Sequence, residues 1–118
     1  MGKRSRQRSA APKPEVPSTV YEHPEAGALE LRGVLTLKAR AEYSRTLHGG
    51  LEREDAWQRA TELLFERLAV TWTIAGLRID RQRELLGRYR LASGDERGFV
   101  RAALREHVRE HFPELEAP

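Results

Sequence analysis

Apolar residues recur at steps of three and four through the middle of this chain. Trp57, Ala60, Leu64, Leu68, Trp72 and Ala75 form one stripe, with Ala56, Leu63, Val70 and Ile74 beside it, the spacing of an amphipathic helix. Glu52, Glu54 and Asp55 precede the stripe and suit the positive end of a helix dipole. From Leu68 to Leu77 (LAVTWTIAGL) no residue is charged. A helix that is apolar all round must be covered on every side, so this pattern predicts a central helix capped near Gly76.

The flanking segments predict further helices. Ile79, Leu85, Leu86 and Tyr89 mark an inner face over residues 79–92, with Arg81, Arg83, Arg88 and Arg90 to its sides. Ser93 and Glu96 have the Ser-x-x-Glu spacing of a capping box, which opens a helix over 96–112 that Pro113 stops. Residues 29–47 are ambiguous. Leu29, Leu31, Leu35, Leu37, Ala39, Ala41 and Tyr43 alternate with polar residues, a period of two that favours a strand. The same stretch is rich in Ala, Leu, Glu and Arg, which favour helix. The composition tips the reading to a helix over 31–47, ended by Gly49-Gly50. Its competitor is a strand within 29–43 that pairs with its copy in a second subunit. The expected fold class is therefore all-α, a compact bundle of three to four helices.

Charge divides the chain of 118 residues. Residues 1–20 hold five basic side chains and one acidic, a net of +4, and residues 21–118 hold 16 basic and 17 acidic, a net of −1. With three prolines and little apolar content, residues 1–20 read as a disordered basic tail ahead of a single domain at 21–118. There is no cysteine, hence no disulfide framework, thiolate metal site or cysteine nucleophile. No apolar run is long enough to span a bilayer, and no apolar segment follows the charged start as a secretory signal would require. A cytoplasmic protein without membrane attachment fits these features.

Three groups of residues are candidates for function. The stripe Trp57, Leu64, Leu68 and Trp72 belongs to a helix that a small bundle covers incompletely, so it predicts a contact surface for a protein partner or a second copy. The leading expectation is thus a small non-enzymatic interaction or regulatory module. Arg97, Arg101, Arg105 and Arg109 recur every fourth residue, stacking on one strip of the last helix. With Arg4, Arg6 and Arg8 of the tail they could follow a phosphate backbone, which gives a nucleic-acid-associated protein as the alternative. The near-neutral charge of residues 21–118 counts against it, and Glu106 and Glu110 can neutralise the strip.

Third, His107 and His111 stand one helical turn apart in the order H-x-x-E-H, the letters of an inverted zinc-protease motif. That motif needs a distant downstream carboxylate, and only seven residues follow His111. His107 also falls among Val100, Ala103 and Leu104 on the apolar side of its helix, the place of a packed core histidine. Metal binding by the pair is the weakest of the three readings, and no cofactor is expected. No glycine-rich phosphate loop, nucleophile elbow or recognisable carboxylate pair is present.

Overall fold

The computed structural model describes residues 17–50 and 52–118. Two hairpins, each followed by two helices, make up the described residues. Strands β1 (Ser18–His23) and β2 (Gly27–Arg32) precede helices α1 (Leu37–Leu47) and α2 (Arg53–Leu68). Strands β3 (Ala69–Ile74) and β4 (Leu77–Ile79) precede helices α3 (Gln82–Arg90) and α4 (Gly94–His111). The four strands form one antiparallel sheet in the order β1-β2-β3-β4. The molecule is mixed α/β, and the all-α helical bundle is incorrect.

The error lies in the uncharged stretch. Only its first residue, Leu68, belongs to α2; the rest forms β3, a turn and β4. Four of the six residues of β3 (Val70, Thr71, Thr73, Ile74) are β-branched, and such side chains pack well on a pleated sheet. The segment lacks charge because β3 is an interior strand hydrogen-bonded on both sides, not because a helix is enclosed. Ala75 and Gly76, at φ 52° and 78°, form the two-residue turn with positive φ that matches strand twist. Gly76 therefore closes a hairpin and does not cap a helix.

The second correction concerns residues 18–36. Ser18, Thr19 and Val20, assigned to the tail by composition, are the first half of β1; the rest of that tail, through residue 16, lies outside the described residues. Leu29 and Leu31 lie on β2, and α1 begins only at Leu37, where the Thr36 side chain caps the Ala39 amide. Between β1 and β2 the His23 imidazole accepts from the amides of Glu25 and Ala26. Gly27 closes this turn at φ 90°, and a Cβ there would lie 2.0 Å from the Thr73 carbonyl oxygen. Only glycine fits.

One face of the sheet carries the core. The register aligns Tyr21 with Leu29, Leu29 with Trp72, and Trp72 with Ile79, so these side chains share a face. A bulge between Glu30 and Leu31 shifts the pairing so that Leu31 meets Ala69. Leu64, Phe65 and Leu68 of α2, Leu85 and Tyr89 of α3, and Val100, Leu104 and Val108 of α4 complete the buried cluster. Phe65 stacks on Tyr89 and meets Trp72 edge-on. The Trp72 indole donates to the Ala26 carbonyl at 2.8 Å, which holds the β1–β2 turn against the core.

Candidate functional site

Among the described residues, the polar feature buried deepest sits beneath the sheet edge, where β1 crosses α4. His107 is 0% exposed. Its Nε2 lies 2.8 Å from the Arg32 carbonyl and its Nδ1 lies 2.9 Å from the Tyr21 hydroxyl. A carbonyl only accepts, so Nε2 carries the proton and Nδ1 accepts from Tyr21. One neutral imidazole thereby joins α4 to both strands of the first hairpin. His111, one turn further along α4, packs its ring 4.4 Å from that of His107 and places Nε2 3.4 Å from the Thr19 hydroxyl. Phe112 closes the seat edge-on to His107.

The electrostatics agree with a structural role. Burial first, then the His111 charge, hold the His107 pKa below that of a free imidazole, against the opposing pull of the Arg32 carbonyl and Glu110. Burial, assisted by Glu106 and Glu110, pushes the Tyr21 phenol up to about 12. A neutral histidine with both nitrogens bonded, beside a phenol that stays protonated, has no free base and no ready acid.

The same bonds bear on metal binding. A zinc site takes at least three protein ligands, and His107 has no lone pair to offer. Among the described residues no group of three or more His, Cys, Asp or Glu side chains converges.

The arginine ladder is drawn inward. Arg97 lies over the Tyr89 ring and donates to the Arg90 carbonyl at 2.6 Å. Arg101 lies over Trp57, 5.1 Å from the ring centroid, and Arg105 donates to the Pro118 carbonyl at 3.1 Å. Only Arg109, of the four, is exposed. Three guanidinium groups are thus held in intramolecular contacts. Arg4, Arg6 and Arg8 lie outside the described residues.

The tryptophan stripe is divided between two elements. Leu64 and Leu68 on α2 and Trp72 on β3 are buried in the core, whereas Trp57, half-buried at the start of α2, stacks on Arg101. These four side chains do not form a shared apolar surface.

Among the described residues, what remains open is the outer edge of β1. Along this strand exposed and half-buried residues alternate: Thr19, Tyr21 and His23 turn toward α4, while Val20 points outward and is 54% exposed. Among the described residues the strand pairs with β2 on one side only, which leaves a row of backbone donors and acceptors on the other. It contains no Lys or Arg, and its register with β2 runs without a bulge. The opposite edge, β4, is three residues long, and its Arg78 is paired with Asp80. Sequence reasoning missed β1. The signal was present in Thr19-Val20-Tyr21 followed by Pro24-Glu25-Ala26-Gly27, a short β-rich run before a turn.

Comparison with protein-family models, curated proteins and solved structures finds no match to this chain. Among the described residues no helix is long and apolar enough to cross a membrane.

Proposed function

We propose that this chain is a non-enzymatic interaction module that associates with a second copy of itself through β1. The observation that carries the reading is the six-residue edge strand, uncovered among the described residues, with Val20 exposed near its middle. Edge strands template pairing with another chain unless they are shortened, charged or bulged; β1 is six residues long, runs without a bulge and carries one carboxylate, Glu22.

Self-complementarity favours a second copy as the occupant. With a two-fold axis at Val20, antiparallel pairing sets Val20 against its copy, Thr19 against Tyr21, and Ser18 against Glu22. No like charges oppose one another, and the exposed valine is covered. Pro17 and Pro24 bound the ladder on either side. In an antiparallel pair the start of one strand lies beside the end of the other. In the proposed pair this sets Ser18 of each copy beside Glu22 of the other. The contact surface moves from the expected helix to the sheet edge because Leu64, Leu68 and Trp72 are buried. The nucleic-acid alternative is left with Arg109 and the residues ahead of β1 once the other three ladder arginines are engaged.

Light scattering across a concentration series tests the proposal, with Val20→Lys as the variant. Val20 points to solvent, so lysine leaves the fold intact by circular dichroism. The expected result is a dimer for the natural chain and a monomer for the variant. A natural chain that stays monomeric at every concentration, or a dimer unaffected by V20K, overturns it.

A further inference from the structure

The edge strand is held by a group that can change charge. We infer that the His107 seat is a proton-sensitive latch: protonation of His107 loosens β1 from α4 and withdraws the edge on which association depends. This second part rests on the proposed pairing through β1; the latch itself does not.

The geometry makes the neutral ring the natural state. Nδ1 must accept from Tyr21 while Nε2 donates to Arg32. A proton added at Nδ1 turns this acceptor into a donor, so the Tyr21 hydroxyl must swing its own proton elsewhere. The same proton places a full charge where the side chain is wholly enclosed, which is costly without an ionic partner. The groups around the ring offer little compensation. β1 contributes only the Tyr21 phenol, and β2 contributes the Arg32 carbonyl, the Arg32 side chain being exposed. On α4, His111 opposes the new charge at close range, and the Glu110 carboxylate favours it from an exposed position. Glu106, also on α4, acts on Tyr21. Phe112 covers the remaining side.

Opening the β1–α4 contact hydrates His107 and restores its ordinary affinity for a proton. Acid therefore favours the open form, by about tenfold for each unit between the two pKa values. His111 also touches Thr19 of the same strand.

Two measurements on the dilute full chain test the latch. The first follows the His107 ring by NMR through a pH titration. The second follows amide exchange along β1, corrected for the intrinsic pH dependence of exchange. The expected result is a His107 midpoint below about 6.5 and a loss of β1 protection on acidification that matches the measured shift. His107→Gln, which keeps a donor and an acceptor without titrating, should flatten that loss. Unchanged β1 protection while His107 titrates, or the same loss in H107Q, overturns the inference. Should H107Q fail to fold, Tyr21→Phe serves in its place. It frees Nδ1 from Tyr21, so the His107 midpoint must shift and the β1 response must shift with it; a β1 response that does not follow the midpoint overturns the latch. Because exchange is read on dilute protein, a chain that never dimerises would defeat the pairing proposal and leave the latch result readable.

Discussion

Tyr21 and His107, separated by 86 positions in sequence, meet through a 2.9 Å hydrogen bond between the phenol and Nδ1. This contact and the His107–Arg32 bond fasten the first hairpin to the last helix. Their dependence on a neutral ring makes global stability respond to acid. The folded pKa of His107 lies below the unfolded value, so the unfolded chain binds the proton more readily. Its contribution is complete above the unfolded value of about 6.5 and is lost as pH falls from there through the folded pKa. Urea unfolding at about pH 7.5 and about pH 5 should show a larger loss for the natural chain than for H107Q. Equal losses would place the acid sensitivity elsewhere.

The alkaline side has the opposite sign. Tyr21 and Tyr43 are raised to about 12 by burial, aided by nearby glutamates, and Tyr89 is raised mainly by burial. These are all three tyrosines of the chain. An acid whose pKa rises on folding retains its proton longer in the folded state, so stability falls as pH climbs from about 10 upward. Ultraviolet absorbance should show little phenolate at about pH 10 in the native protein, and about half of the phenols ionised once it is unfolded. Ordinary titration of any one tyrosine in the native state would contradict its burial.

The hairpin turns predict substitutions of opposite effect. Ala75 adopts φ 52°, a left-handed conformation that costs an alanine roughly 1–2 kcal/mol. Ala75→Asn makes the Asn-Gly pair such turns prefer and should raise stability by about 1 kcal/mol. Gly27→Ala places a Cβ 2.0 Å from the Thr73 carbonyl oxygen in addition to its positive φ. It should cost roughly 3 kcal/mol or more, among the larger single-residue losses. Thermal unfolding checks both, and a neutral Gly27→Ala would mean that β2 and β3 are less closely apposed than described.

The features legible in the sequence were the local ones. Ser93 and Glu96 announce the start of α4, and both hydrogen bonds of the capping box form. The acidic residues before Trp57 mark the start of α2. The apolar spacing of α4 puts His107 on its inner side, where it is buried. Residues 69–74 were misread because an interior strand and an enclosed helix both lack charge. Trp72 continues the three-and-four spacing of α2 by coincidence of register. The β-branched residues Val70, Thr71, Thr73 and Ile74 carry the strand signal that the periodicity hides. β1 was missed for a different reason. An edge strand buries one face only, so its apolar content is low, and the prolines that precede it give the stretch a tail-like composition. The inward turn of Arg97, Arg101 and Arg105 depends on rings from other elements, Tyr89 and Trp57, and on the chain end at Pro118. No spacing within α4 could report them.

The proposed pairing is tested most directly by engineered cross-linking, because the natural chain has no cysteine. Antiparallel partners at a two-fold axis bring their Cα atoms to about 4.5–5.5 Å, within disulfide reach. Val20→Cys under mild oxidation should give a covalent dimer rapidly and nearly completely. Leu77→Cys, 64% exposed on the opposite edge, should give only slow collisional product. Equal rates at the two positions, or faster coupling at Leu77, would contradict association through β1.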